Sequence, residues 1–489
     1  EITTRLVGSE MCIRDRVSTT MHFMPGCEIL QSFDLVHWEH VTYVYETLDH
    51  TDAQQLKSGQ NIYGQGMWAA SLRYHEGRFC ICFVANDTRK TYLYTSEKID
   101  GPWKKQLIEG FYHDGSLLFD EDGRNYIVYG NDEIWITELN EDLTAPKKDG
   151  LHRLLVSDHK NPELGYEGSH IQKINGYYYI FLIHSLRDRW MRTEACFYSD
   201  SLEGEFTGGD VLCDDRGYCG QGVAQGGIVD TPDGKWYAML FQDSGAVGRI
   251  PILLPVTWKD HFPFFGQNGH VPEEIEVHST RPGYIYQPLV GSDDFCNGLL
   301  PRWQFNHDPD PRYYHLDALQ GTYTITTREV CTELTQAVNT LTQRMSYPSC
   351  AAEVTVDASA LKEGDVAGLC ALQSCYAAVG ITKHHGKYEV LMLDKKEDGI
   401  LDMTEGTVVE SHQMDFRLEA DFSNMKDEAR CYYRVNKGDW LPIGTVHKLY
   451  FKLDHFTGCR VGLFCYAAEE TGGSACFRDF KYYDVDEIS

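Results

Sequence analysis

Four segments of the chain repeat one pattern of apolar and polar positions: "WAASLRYHEGRFCICFV", "DGSLLFDEDGRNYIVYG", "EGSHIQKINGYYYIFLI" and "QGGIVDTPDGKWYAMLF". In each, a short apolar strand runs into a polar turn that ends in glycine. An aromatic-rich strand follows, with the rough alternation of a half-buried β-strand. The turn glycines are Gly77, Gly123, Gly176 and Gly234, spaced by roughly 50 residues, a period that marks an array of supersecondary units. Each copy continues into a more polar strand: "YLYTSEKIDGPWKK", "IWITELNEDLTAP", "ACFYSDSLEGEFTGG" and "LLPVTWKDHFPFFG". A fifth ending of this kind, "CEILQSFDLVHWEHV", stands near the front without its first half. Units of about four antiparallel strands predict the blades of a propeller around a central channel. The expectation is a five-bladed β-propeller over residues 17–290 with its first blade incomplete.

The repeat also places side chains. Nine residues before each turn glycine stand Trp68, Asp114, Glu167 and Gln225. Equivalent positions in a radial fold sit at equivalent depth, at the start of each blade's innermost strand, so these four are expected to converge on one end of the channel. An Asp before a glycine is ordinarily a turn former, and a Glu beside a glycine at a strand start is ordinarily solvated. Two carboxylates at one register, joined by an aromatic ring and an amide, favour a site. The parts suit cleavage of a glycosidic bond: a sugar stacks, its hydroxyls are held, and one acid protonates the departing oxygen while its neighbour helps to keep that proton in place.

After "VPEEIEVHSTRPGYIYQPLVGSDDF" the repeat stops and the rhythm changes. The runs "GTYTITT", "AAEVTVDA", "YEVLMLD", "ARCYYRVN", "LYFKLD", "RVGLFCYAA" and "CFRDFKYYDV" alternate apolar with polar residues between Gly and Asp turns. They predict two antiparallel sheets packed face to face over residues 291–489. The fold class expected is therefore all-β, a propeller followed by a sandwich.

Composition narrows the partners. With 44 Lys and Arg against 73 Asp and Glu, the formal net charge of −29 repels phosphate backbones and anionic lipid heads. A neutral oligosaccharide or other small molecule is expected, with no nucleic acid and no membrane, and no apolar run is long enough to span a bilayer. The 16 cysteines show no C-x-x-C and many lie inside apolar strands. This predicts free thiols and a reducing, cytoplasmic compartment. Cys213 and Cys219, in "CDDRGYCGQG", are the one pair placed for a local bridge.

The segments "GMWAASLRY", "HDGSLLFDEDG", "YEGSHIQKINGYYY", "GGIVDTPDGKWYAM" and "VGRIPILLPVTWKDHFPFFG" resemble glycoside hydrolase family 43, the five-bladed propeller β-xylosidases and α-L-arabinofuranosidases. The resemblance runs from about Thr19 to the end. It implies Glu167, in its E-G-x-H stretch, as general acid, and Asp114 as the group that tunes and orients it. It also implies Trp68 as the aromatic of the sugar subsite, Arg249 as the arginine near the sugar, and His22 and Met24, in "MHFMPG", as residues of the pocket rim. Gln225 stands where a His or another polar residue often occupies the channel, so calcium, found in some members, is not supported, and no cofactor is required. "DDFCNGLLPRWQFNHDPDPRYY", "LTQRM" and "GDVAGLCALQ" resemble the concanavalin-A-like sandwich that narrows the pocket mouth in such β-xylosidases.

Family members carry their catalytic base, an Asp, on the innermost strand of blade one. Here "VSTTMHFMPG" is preceded by "EITTRLVGSEMCIRDR", which resembles a translated sequencing adaptor and is expected to be a non-native tract over residues 1–16. No Asp stands there at the right register, since Asp15 is too close to Val17. The natural N-terminus is expected to be missing, which leaves a leader open. The function expected is exo-acting, inverting removal of terminal xylose or arabinose, with the base not found in this chain. The alternatives are a propeller phosphorylase or fructan-cleaving relative, and a propeller that binds sugars without turning them over.

Overall fold

Strand pairing follows the repeat. The computed structural model describes residues 14–404 and 406–485. Four sheets of four strands each carry the four segments, starting from the innermost strands Met67–His75, Ser116–Phe119, Glu167–Ile174 and Ala224–Asp230. In blades two and four the chain reverses through two residues, Glu76-Gly77 and Asn175-Gly176, all with positive φ. This is the conformation that matches the twist of a hairpin and that glycine adopts without strain. Blade one has three strands among the described residues, Arg14–Ser18, Gly26–Ser32 and Glu39–Tyr45. The tract boundary expected after residue 16 falls inside the first of these strands, and residues 1–13 lie outside the described residues.

The ring closes between blades one and five through side chains and a strap. Arg14 donates from Nη2 to the Asp230 carbonyl at 2.8 Å. The connector that leaves blade five crosses blade one, where Thr280 N–H donates to the Phe33 carbonyl at 2.8 Å and Gln287 N–H to Glu39 Oε2 at 3.0 Å. Aromatic and aliphatic side chains fill the seams between blades, as Leu118, Tyr126 and Ile136 of blade three do against Ile171 and Ile180 of blade four.

The second half is a β-sandwich of a nine-stranded and a seven-stranded sheet. Alternation puts Val354, Val356, Phe416 and Leu418 of one sheet against Leu369, Val379, Ile381 and Leu463 of the other in a single core. The protein is therefore all-β, a five-bladed propeller followed by a sandwich. The two halves share a sheet, because the strand Phe23–Met24 pairs with Gln304–Asn306 at the sandwich edge. All described cysteines are free, Cys213 and Cys219 included. Among the described residues no helix is long and apolar enough to cross a membrane.

A cluster of imidazoles sits on this junction. The His22 ring lies 4.9 Å from His307 and 5.2 Å from His455, and all three residues are fully buried. Burial, then the neighbouring histidines, hold His22 well below the ordinary imidazole range, and burial followed by His455 takes His307 down to about 3. A base whose folded pKa lies below its unfolded value binds fewer protons when native. Its contribution is complete above about pH 6.5 and is lost as pH falls below that, by about 1.4 kcal/mol per pH unit until the folded pKa is reached. His307→Gln keeps an acceptor for the Ile62 N–H, 3.0 Å from His307 Nε2. Between pH 6.5 and 5 the variant is expected to lose roughly 2 kcal/mol less unfolding free energy than the parent, measured by denaturant titration at both pH values. Equal losses in the two proteins would remove His307 from the account.

Candidate active site

An extra residue interrupts the ladder near the start of the innermost strand in three blades: between Met67 and Ala70, Glu167 and His170, and Ala224 and Gly227. Bulges of this kind re-aim the side chains beside them. Trp68 and Glu167 thereby line one cavity of about 810 Å³, together with His113, Asn131, Asp243 and Arg249. Asp114 lies beneath its floor, 2% exposed. Its Oδ2 accepts the Gly168 N–H at 3.2 Å, and its carbonyl accepts the Ser169 hydroxyl at 2.9 Å. Asp114 thus fixes the two residues that follow Glu167.

Glu167 is held from the side as well. The Asn131 amide donates to Glu167 Oε2 at 2.7 Å. His113 Nε2 stands 3.6 Å from Asp114 Oδ2 and 3.7 Å from Glu167 Oε2, between the two carboxylates. Gly168 has φ +67, and a Cβ there would fall 2.6 Å from Gln225 Cδ. Only glycine fits that backbone, which accounts for the Glu-Gly pair. Gln225 itself is fully buried behind Gly168 and does not line the cavity. Its N–H donates to Glu194 Oε2 at 2.7 Å, and burial pushes the Glu194 carboxyl well above its ordinary range.

Another wall carries a third carboxylate. Arg192 Nη1 contacts Asp243 Oδ2, and Arg249 Nε lies 3.0 Å from Oδ1, so each oxygen of this 5% exposed residue is ion-paired. The sandwich completes the enclosure. The Phe456 ring meets Trp68 edge-on at 5.6 Å, and the Arg249 guanidinium lies 4.3 Å over Phe456. Trp68, Phe456 and Arg249 form an apolar face edged by donors, the composition that holds a sugar ring.

His22 and Met24 are fully buried at the junction with the sandwich and do not reach the cavity. The reason is local: Phe23 and Met24 are drawn into the sandwich sheet. Asp15 stands opposite Gln31 of the neighbouring strand, is likewise buried, and is not part of the cavity lining. No described residue of blade one contributes a carboxylate to the lining.

His113, Asn131, Arg192, Asp243 and Phe456 were not singled out from the sequence. The repeat holds a signal for two of them. Asn131 and Asp243, like Asn86 of the same lining, stand eight or nine residues after a turn glycine, at the end of the blade's second strand. Phe456 comes from the other domain, and no periodicity of the propeller points to it.

His113, Asp114 and Glu167 each bring one ligand atom within 4.8 Å of the others, the one such set among the described residues. A single imidazole and two carboxylates, one already taken up by Asn131, do not suit calcium, which takes six to eight oxygen ligands.

The family model for glycosyl hydrolases family 43 matches residues 14–263, and that for the β-xylosidase C-terminal concanavalin A-like domain matches residues 292–483. The chain is 25% identical to a β-xylosidase of Formosa agariphila, covering 96% of this chain and 85% of that protein. It is 22% identical to a non-reducing-end α-L-arabinofuranosidase of Bacteroides ovatus, covering 79% and 75% of the two. A solved structure described as a bifunctional GH43-CE protein of Bacteroides eggerthii is 40% identical and superposes with a TM-score of 0.90. That match covers 98% of this chain and 62% of the other, so this chain spans less than two thirds of that protein. With both halves matched in order, the chain belongs to glycosyl hydrolases family 43 and is a glycosidase.

Proposed function

We propose that the cavity takes the non-reducing end of a xylose- or arabinose-containing oligosaccharide, that Glu167 is the general acid, and that cleavage is exo-acting with inversion. The observation that carries this reading is the way Glu167 is mounted: on the cavity wall, held by Asn131 and His113, over a buried Asp114 that fixes the backbone behind it. Trp68 offers the stacking face, Arg249 the donor near the sugar, and Gln225 a rigid backing. Glu167 protonates the glycosidic oxygen as the bond to the anomeric carbon breaks, while water attacks from the opposite face. Asp114 orients the acid through its hydrogen bonds to Gly168 and Ser169. The wall formed by Phe456 favours a terminal sugar over the middle of a chain.

Inversion also needs a carboxylate across the ring to activate water. Among the described residues Asp243 is the one other carboxylate on the lining, and both of its oxygens are engaged by the guanidinium groups of Arg192 and Arg249. This favours a second reading for residues 1–489, a propeller that binds sugars and turns them over slowly. Concentrated protein incubated with xylotetraose and followed by proton NMR tests the leading reading. The first product is expected to be xylose with the anomeric configuration opposite to the bond cleaved, beside xylotriose. Xylobiose as first product would contradict exo action, and retained configuration would contradict inversion.

A further inference from the structure

The molecule has nine tryptophans, and among them Trp190 alone is exposed, at 42%. It also lines the cavity that holds Glu167. Leaving an indole in water forfeits its burial, and several contacts hold this one there. Trp190 sits in the turn between the second and third strands of blade four, the blade that carries Glu167. The turn is tied by Leu186 N–H to the Met191 carbonyl at 3.1 Å and by Met191 N–H to Ser185 Oγ at 2.8 Å. Ser185 N–H in turn donates to the Leu164 carbonyl at 2.9 Å, so Leu164, also on the lining, is fixed beside it.

From behind, the indole leans on the "CDDRGYCGQG" loop, which forms no bridge. Gly220, at φ +73, lies so close that a Cβ there would fall 2.6 Å from the Trp190 carbonyl oxygen and 3.3 Å from its ring Cδ1. Asp215 pins that loop by accepting the N–H groups of Gly217 at 2.8 Å and Gly220 at 2.7 Å. Arg192 N–H closes the arrangement by donating to the Gly220 carbonyl at 3.0 Å. The indole is therefore presented on a braced turn at the mouth of the cavity.

We infer that Trp190 is the stacking platform for the sugar on the leaving-group side of the scissile bond, so that the substrate is an oligosaccharide rather than a simple glycoside. The inference rests on the proposed function, in which Glu167 protonates the leaving group's oxygen. Groups on the acid's own blade and on its solvent side then face the leaving group, while Trp68 and Phe456 enclose the terminal sugar. The cavity, at about 810 Å³, lies in the range that encloses ligands larger than one pentose.

The test uses residues 1–489 titrated with xylose and with the sulfur-linked analogue of xylobiose, which is not hydrolysed, followed by ligand-observed NMR. Trp190→Ala is expected to weaken the disaccharide analogue about tenfold, the equivalent of one good aromatic contact, and to change xylose affinity less than twofold. Trp190→Phe, which keeps a ring, is expected to restore most of the difference. Equal weakening of both ligands by Trp190→Ala, or of neither, would overturn the inference and leave the proposed function standing. A parent protein that binds neither sugar would sink the proposed function itself.

Discussion

Residues 1–489 are expected to release nitrophenol from para-nitrophenyl β-D-xylopyranoside and α-L-arabinofuranoside about 10² to 10⁴ times more slowly than a complete inverting glycosidase, the contribution of one general base. An inverting site needs an acid and a base on opposite faces of the sugar, and among the described residues the lining supplies one carboxylate that is not paired with a guanidinium. Asp243 is buried, and its two oxygens face Arg192 and Arg249. Substrate binding does not depend on the base, so sugar affinity is expected to persist while turnover is slow.

An inverting site that lacks its base has a chemical signature. Azide is nucleophilic without a base, so it attacks the anomeric carbon directly while the bond to the leaving oxygen breaks and Glu167 gives that oxygen its proton. Added azide is therefore expected to raise the rate and to yield a glycosyl azide of inverted configuration, detected by NMR. Ordinary turnover without azide, and no glycosyl azide with it, would show that a base is present after all.

Much of this was legible in the repeat. The turn glycines marked four blades and the ending near Cys27 the fifth, and the register nine residues before the glycines pointed to Trp68 and Glu167, which line the cavity, and to Asp114 beneath it. The same register misled at Gln225, because a strand start shared by all blades fixes depth but not the direction in which a bulged residue points. Gln225 has φ 62 and turns behind Gly168. His22 and Met24 lay beyond any propeller rule, since the strand Phe23–Met24 is captured by the sandwich sheet and the His22 carbonyl accepts the His307 N–H, contacts between segments nearly 300 residues apart. Phe456 and Trp190 reach the cavity from loops whose positions depend on tertiary packing rather than on strand period. Asn131 and Asp243 are legible at the end of each blade's second strand, eight and nine residues after the turn glycine.

The central claim is that Glu167 delivers a proton to the departing oxygen. That demand depends on the leaving group, since a xylose alkoxide requires protonation and a dinitrophenolate does not. The direct measurement is the hydrolysis rate of Glu167→Gln relative to its parent on two substrates, xylobiose and dinitrophenyl β-D-xylopyranoside. The account predicts a fall of about 10² to 10⁴ on xylobiose and less than about tenfold on the dinitrophenyl glycoside. Equal losses on both substrates, or no loss on xylobiose, would contradict it.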